Sequence, residues 1–214
     1  MWGVFAGFAL ALGCQLSMLV DSFRPGRLNA RLWFVFAAML VAIFLTPSAP
    51  QVFAHTFTIP TNSMAPTLRG LSYGTGDHIV ADRLCYKFSP PKRGELVVFR
   101  TASIPEIHDD AYFVQRLVGL PGEKIEIRDG HVFADERQLG ENDGIPDRPY
   151  TTTPFQAFMT GPGVYQVPQD AYFMLGDNSP NSFDSRYWGY LPRANVYARV
   201  SRIYYPFSRA GVPR

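Results

Sequence analysis

The chain has 214 residues, of which 18% are charged and 47% are apolar, and this balance excludes an intrinsically disordered protein. Its net charge of +2 is too small to indicate nucleic acid as a partner. The 18 glycines, 18 prolines, 11 tyrosines and 17 phenylalanines favour a mainly β body with many turns. The two cysteines, Cys14 and Cys85, are far apart and Cys14 lies in an apolar run, so we expect no disulfide between them.

Two apolar segments without charged residues begin the chain. Trp2–Val20 is just long enough to cross a bilayer as a helix, and the absence of a preceding Lys or Arg argues against a cleavable signal peptide. Leu32–Leu45 is short for a span but can extend towards Phe53, and a buried helix of a soluble domain is its alternative. The two segments together predict a membrane anchor of two transmembrane helices over residues 1–54.

The link between these segments, residues 21–31, carries Arg24, Arg27 and Arg31. Short basic loops of membrane proteins stay on the cytoplasmic side. We therefore expect this link in the cytoplasm, the anchor in the lipid bilayer, and residues 55–214 on the extracytoplasmic side.

Beyond residue 71 the pattern predicts strands separated by turns. The strongest feature is a hairpin, with alternating strands over 124–128 and 131–134 around the turn Asp129-Gly130. A small loop-rich insertion is expected over about 130–170, most polar over 135–163, and a turn cluster over 176–182. Further strands are predicted over 77–83, 94–100, 111–120, 163–174 and 196–207.

A serine lies between two prolines where the apolar run ends, in the sequence IPTNSMAPTL over residues 59–68. Pro60 and Pro66 restrict the backbone around Ser63, so the loop should be rigid. A rigid loop suits a nucleophile, whose attacking oxygen must be held in one place. An ordinary turn has the same composition, so this loop alone does not establish catalysis.

Taken in order, several segments resemble the bacterial signal peptidase I family. They are the membrane anchor, IPTNSMAPTL at 59–68, GDHIV at 76–80, RGELVVF at 93–99, QRLVGLPGEK at 115–124 and GDNSPNSFDSRYWG at 176–189. The resemblance implies a β catalytic domain of a membrane-bound serine endopeptidase that removes signal peptides from exported preproteins. It also implies a location in the bacterial inner membrane and chemistry that needs no cofactor.

The resemblance also implies roles for individual residues. Ser63 matches the nucleophile, and Thr61 matches a hydroxyl that assists the Ser63 backbone amide in holding the oxyanion. Ser182 matches the hydroxyl that orients the general base, and Asp184 with Arg186 matches a supporting ion pair. The positions matching substrate pockets for small side chains are Ile59, Pro60, Met64, Leu68 and Val114.

One position departs from the family pattern. The family's general base is a Lys immediately before the sequence RLVGLPG, and this chain has Gln115 there. A buried Lys can lose its proton at neutral pH, whereas a Gln amide cannot take a proton from a serine hydroxyl. The general base is therefore missing where the family keeps it.

The lysines and histidines of the chain are the other candidate bases. Lys87 and Lys92 lie in a Pro-rich loop and Lys124 begins a strand. His78 and His108 are the candidate histidines, although a surface position is the plainer expectation for each. No Cys and His cluster has metal-ligand spacing, so no metal site is expected.

Simpler explanations exist for most of the matched residues. Ser182 can be a turn former, Asp184 and Arg186 a weak surface pair, and the pocket residues ordinary core. Two further functions also stay open because of Gln115. One is a catalytically inactive relative that binds exported chains or a partner subunit, and the other is an engineered form in which Gln replaces Lys to trap substrate.

Overall fold

The computed structural model describes residues 34–39, 54–102, 104–151 and 163–213. The chain divides into two units, Met1–Gln51 and Val52–Arg214. In the first unit, residues 34–39 are helical and their side chains, including Phe34, Phe36 and Met39, are exposed. The predicted span Trp2–Val20 and the basic link lie outside the described residues. Among the residues that are described, no helix is both long and apolar enough to cross a membrane.

The second unit is mainly β, as the composition predicted. Seven antiparallel strands form its larger sheet in the order β1-β2-β11-β3-β4-β9-β10. These strands are β1 (Ala54–Thr58), β2 (His78–Asp82), β3 (Leu96–Arg100), β4 (Tyr112–Gly119), β9 (Ala171–Leu175), β10 (Leu191–Pro192) and β11 (Val196–Tyr205). The chain thus closes next to its first strands, because β11 lies between β2 and β3.

Four shorter strands form a second antiparallel sheet in the order β7-β6-β5-β8. They are β5 (Lys124–Arg128), β6 (His131–Ala134), β7 (Arg137–Gln138) and β8 (Val164–Gln166). The predicted hairpin is confirmed as β5 and β6, with Asp129 and Gly130 at positive φ in its turn. The insertion expected to be loop-rich therefore contains part of a small sheet.

The core follows from the alternation of side chains along the strands. On β3, Leu96 and Val98 face a cluster that also holds Met64 and Leu68, whereas Val97 and Phe99 face a second cluster on the other side. A third cluster joins the two sheets, since Val118 and Phe173 pack with residues of the small sheet such as Ile125. Strand β3 is buried on both faces and holds the domain together.

Two short helices and one broken strand complete the domain. The helices are Cys85–Phe88 and Ser185–Trp188. The single strand predicted over 163–174 was wrong: it is split into β8 and β9, because Pro168 cannot donate a backbone hydrogen bond and a turn lies between the two strands. Strand β1 was not predicted at all.

Candidate active site

Ser63 lies on a loop between β1 and β2, which we call the Ser63 loop (residues 59–69). Backbone hydrogen bonds from Ala65 to Asn62 (3.0 Å) and from Leu68 to Met64 (2.8 Å) shape its turn. The side chains of Met64 and Leu68 are almost completely buried beneath it. Ser63 is consequently held at the partly exposed top of a turn that is anchored in the core.

The Ser63 hydroxyl has one polar neighbour in the described part of the chain. Its Oγ lies 3.1 Å from Oγ1 of Thr61, and either atom can donate. The backbone amide of Ser63 forms no hydrogen bond within the described residues. That amide and the Thr61 hydroxyl are thus hydrogen-bond donors close to the Ser63 hydroxyl.

A second segment holds the Ser63 loop from the other side. The backbone amide of Asn178 donates to the carbonyl of Ser63 (2.9 Å), and Asn178 Nδ2 donates to the carbonyl of Asn62 (2.9 Å). Gly176 must lack a side chain, since a Cβ atom there would lie 2.6 Å from the Ser63 carbonyl oxygen and overlap the side chain of Ser182. Sequence reasoning treated Asn178 only as a turn former, although the dense Gly-Asp-Asn turn was the available signal.

Gln115 lies on β4 opposite Val97 and is only 2% exposed. Its Nε2 donates a hydrogen bond of 2.8 Å to the carbonyl of Phe183. Its Oε1 is buried and has no partner in the described structure. The side chain therefore uses one of its two polar atoms in a hydrogen bond with the residue that follows Ser182.

Ser182 directly precedes the residue that Gln115 contacts. Its Oγ is also buried without a protein partner in the described region, and it packs against Gly176. The segment 176–183 therefore contacts the Gln115 side chain through Phe183 and the Ser63 loop through Gly176 and Asn178. Sequence reasoning had assembled these three residues from the family resemblance alone.

Asp184 and Arg186 form a completely buried ion pair, so the alternative of a weak surface pair is wrong. Arg186 donates from Nε to Asp184 Oδ1 and from Nη2 to Asp184 Oδ2, both at 2.7 Å. Burial disfavours the charge on Arg186, but the hydrogen bonds with Asp184 raise its pKa overall. Asp184 Oδ2 also accepts from the amide of Gly176 (3.0 Å), which links the pair to the Ser63 site.

A second buried ion pair was not predicted. Arg116 donates to Asp177 from Nε (2.7 Å) and from Nη2 (2.6 Å), and the Thr67 hydroxyl donates to Asp177 Oδ2 (2.5 Å). Arg116 follows Gln115 on β4, and Thr67 belongs to the Ser63 loop. This network therefore connects β4, the turn over 176–182 and the Ser63 loop in one set of charge-assisted bonds.

The predicted pocket residues lie close together. Ile59, Met64 and Leu68 belong to one buried cluster, and Val114 packs against it while staying partly exposed. Pro60 is exposed beside them. The same cluster forms part of the hydrophobic core, so these residues stabilise the fold in addition to any role in substrate binding.

The alternative bases are engaged or exposed elsewhere. His78 lies on β2, where its Nδ1 is 3.2 Å from Thr58 Oγ1 and its ring contacts Tyr204 and Tyr205. His108 and all three lysines are exposed. Within the described ranges no hydrogen bond joins a His or Lys side chain to Ser63. The same ranges contain no group of three or more His, Cys, Asp or Glu residues that could hold a metal ion.

Comparison with known proteins agrees with this arrangement. Residues 30–205 match the family described as "Signal peptidase, peptidase S26". A "Signal peptidase I" of Leptolyngbya laminosa is 34% identical over 72% of this chain and 70% of its own length. A "Probable signal peptidase I-2" of Synechocystis sp. is 33% identical over 81% of this chain and 73% of its own length.

The similarity extends to a plastid protein. "Thylakoidal processing peptidase 1, chloroplastic" of Arabidopsis thaliana is 31% identical over 81% of this chain and 47% of its own length. The family match covers most of the described domain, including Ser63, Gln115 and the segment 176–189. The chain belongs to the signal peptidase family, peptidase S26.

Proposed function

We propose that this protein is a membrane-anchored serine endopeptidase of the signal peptidase I type, which removes N-terminal signal peptides from exported preproteins. The observation that carries the proposal is the arrangement around Ser63. A partly exposed hydroxyl lies on a loop fixed by Asn178, and the buried side chains of Gln115 and Ser182 meet the same segment. Membership of the family supplies the reaction type.

In this mechanism the Ser63 hydroxyl gives its proton to a general base while Oγ bonds to the carbonyl carbon of the scissile peptide bond. The C–N bond then breaks, the amine of the mature chain leaves with a proton, and water hydrolyses the ester formed on Ser63. In this proposal the Ser63 amide and the Thr61 hydroxyl donate to the oxygen on which negative charge develops, and such donors typically lower the barrier by about 3–4 kcal/mol. Ser182 would orient the general base, and Asp184 with Arg186 would keep its segment in place. At the base position itself, Gln115 can orient a hydrogen bond but cannot accept the proton.

Substrate selection is assigned to the apolar side chains of the Ser63 loop and to Val114, which packs against them. Ile59, Met64 and Leu68 form a packed apolar wall, while Pro60 and Val114 are accessible at its edge. A wall of this kind leaves room for small side chains, and forcing larger ones into packed structure typically costs about 1–3 kcal/mol. Preproteins with small residues before the cleavage site fit this surface.

The decisive experiment is cleavage of a preprotein by the full chain in detergent. We expect Ser63-dependent cleavage after a site with Ala at the first and third positions before the cut. The same preprotein with Leu at both positions should be cleaved roughly 5- to 150-fold more slowly, from the packing cost above.

Ser63→Ala is the control, because it removes the nucleophile and little else. Equal cleavage of both preproteins would contradict the assignment of the pocket. Cleavage that persists in Ser63→Ala would contradict the assignment of the nucleophile. Tight binding of the preprotein without any cleavage would favour the inactive relative.

We also propose that residues 1–54 anchor the domain in the bacterial inner membrane, with residues 55–214 on the extracytoplasmic side. The exposed apolar side chains of residues 34–39 support a membrane environment for this segment. The charge-free runs and the three arginines of the link support two helices with the link in the cytoplasm.

This topology predicts which part of the chain a protease can reach. Protease added to sealed spheroplasts should digest the domain beyond residue 60, whereas a tag inserted in the link between residues 21 and 31 should be protected. Lysed spheroplasts, in which both parts become accessible, are the control. Protection of the domain in intact spheroplasts would reverse the orientation.

A further inference from the structure

The C-terminal segment folds back onto the domain next to the Ser63 loop. After β11 the chain turns through the short 3₁₀ helix Phe207–Arg209, and Gly211 then pairs with Ile203 in both directions, at 2.8 and 3.0 Å. This return brings one charged side chain, that of Arg209, against residues more than 130 positions earlier in the sequence.

Arg209 contacts the Ser63 loop directly. Its Nη2 donates to the backbone carbonyls of Thr67 (3.0 Å) and Pro66 (3.1 Å). The same guanidinium donates from Nε to Asp77 Oδ1 (2.8 Å) and from Nη2 to Asp77 Oδ2 (2.9 Å). These hydrogen bonds with Asp77 raise the pKa of Arg209, which stays charged.

Asp77 in turn fixes both ends of the loop. Its amide donates to the carbonyl of Arg69 (2.8 Å), and its carbonyl accepts from the amide of Ile59 (2.9 Å). Its carboxylate also accepts from the amide of Arg69 (2.8 Å) and is almost completely buried. A buried carboxylate with these partners is a rigid support, and Arg209 is the side chain that neutralises it.

Two independent supports therefore hold the Ser63 loop. Asn178 binds the carbonyls of Asn62 and Ser63 from one side, and Arg209 binds those of Pro66 and Thr67 from the other. We propose that Arg209 is a positioning residue for the reaction at Ser63, through which the C-terminal segment sets the attacking oxygen in place. The proposal rests on the proposed function, since it concerns the same nucleophile.

The expected effect is on the rate of the chemical step rather than on substrate binding. Arg209 touches the backbone three residues after Ser63, and misplacement of an attacking group by about 1 Å can cost about 100-fold in rate. The pocket residues Met64 and Leu68 remain anchored in the core by their own packing. Loss of Arg209 should accordingly lower kcat and leave KM nearly unchanged.

The test uses the full chain in detergent and a variant that leaves no buried charge behind. Arg209→Met combined with Asp77→Asn removes the guanidinium and the carboxylate charge together. Arg209→Lys keeps a charge for Asp77 but lacks the planar fork that reaches the two carbonyls. Arg202→Met is the matched control, because Arg202 is an exposed arginine on β11, the strand that precedes the C-terminal segment.

Two readouts are compared for each variant. The first is kcat for preprotein cleavage, measured in the present chain and in a Gln115→Lys background. It should fall about 10- to 100-fold in the double variant and by an intermediate factor in Arg209→Lys. It should not fall in Arg202→Met. Hydrogen exchange should become faster at the amides of Ala65 and Leu68, whose bonds shape the loop, and stay unchanged in the hairpin of β5 and β6.

Each outcome decides the proposal. The proposal is overturned if kcat is unchanged or if hydrogen exchange in the Ser63 loop is unchanged. It is also overturned if exchange accelerates equally throughout the domain, because Arg209 would then only stabilise the fold. If neither background cleaves, the proposed function fails. Hydrogen exchange then decides alone. Faster exchange confined to the Ser63 loop would show that Arg209 holds this loop in place, and any other pattern would overturn the proposal.

Discussion

Replacing Arg186 by Met should lower the free energy of unfolding of the domain by about 3–5 kcal/mol, because it leaves the completely buried Asp184 carboxylate without its counter-charge. The loss goes beyond this pair. The guanidinium also donates to the carbonyl of Thr151 (2.8 Å), to the hydroxyl of Ser179 (2.6 Å) and to the carbonyl of Ser179 (2.7 Å). For a domain of this size the change corresponds to a fall in Tm of roughly 6–20 °C.

Thermal unfolding followed by near-ultraviolet circular dichroism measures this effect, since Trp188 is buried beside the pair. Arg137→Met is the matched control. Arg137 makes a bidentate pair with Asp143, but its side chain is 61% exposed, so its loss should lower the Tm far less than the loss of Arg186. A double variant with Asp184→Asn and Arg186→Met should recover part of the loss, because no uncompensated charge stays buried.

Similar effects of the Arg186 and Arg137 substitutions would contradict this account. They would mean that burial does not decide the importance of these pairs. The distinction also matters for the site, because Asp184 holds the amide of Gly176 and Gly176 packs directly against the Ser63 carbonyl. A fold loosened at Arg186 should therefore also release the segment that holds Ser63.

Local patterns in the sequence were sufficient to predict most of the strands. The alternation over 124–134 and its Asp-Gly turn gave the hairpin of β5 and β6 with its correct register, because both signals act between neighbouring residues. The mostly apolar strand β3 was also predicted, although its burial on both faces depends on partners elsewhere in the chain. Strand β1 was missed, since its sequence AHTFT carries no strong pattern and lies beside an apolar run.

Contacts between distant segments could not be predicted from local patterns. Asn178 lies 115 residues after Ser63, and Arg209 lies 132 residues after its partner Asp77. Turn-forming residues such as Asn178 look the same whether they hold a functional loop or an ordinary one. The supporting network of Arg116, Asp177 and Thr67 was missed for the same reason.

Resemblance to a family supplied what local patterns could not. The resemblance alone predicts that Ser63, Gln115, Ser182 and the pair Asp184–Arg186 belong to one active site. In the structure Ser182, Asp184 and Arg186 belong to one segment, and Gln115 donates a hydrogen bond to Phe183 in it. Gly176 and Asn178, in the turn just before this segment, contact the backbone of Ser63. Their catalytic roles stay predictions, because neither proximity nor burial measures a rate.

We predict that Gln115 limits the proposed reaction. The other groups proposed for the attack have suitable chemistry: the Ser63 hydroxyl, the donors around it, and a buried Ser182 hydroxyl that has no hydrogen-bond partner within the described residues. Only a group able to accept the Ser63 proton is absent, since a Gln amide has no such basicity. General-base assistance typically contributes about 10²–10⁴-fold to a rate.

The surroundings of Gln115 are suited to a lysine. The carbonyl of Phe183 is an acceptor for an amine at this position, and a Lys side chain reaches one atom further than that of Gln. Leu117 and Val97 nearby are completely buried, so the setting is apolar. Burial disfavours the charged form of an amine, and the pKa of the introduced lysine should lie below its usual range.

Gln115→Lys should therefore raise the single-turnover rate of preprotein cleavage by about 10²–10⁴-fold over the present chain. Because the lysine acts only after losing its proton, the rate should rise with pH through its lowered pKa and then level off. Gln115→Met is the matched control: it has a similar reach but no group that binds a proton, so it should give no gain. Addition of Ser63→Ala to Gln115→Lys should abolish the gain.

A different result would locate the base elsewhere. If the present chain already cleaves rapidly, requires Ser63 and gains nothing from the lysine, then another group must accept the proton. The remaining candidates are His78 and His108. His78→Gln and His108→Gln would then separate the two, since only the variant that removes the base would lose both the rate and its pH dependence.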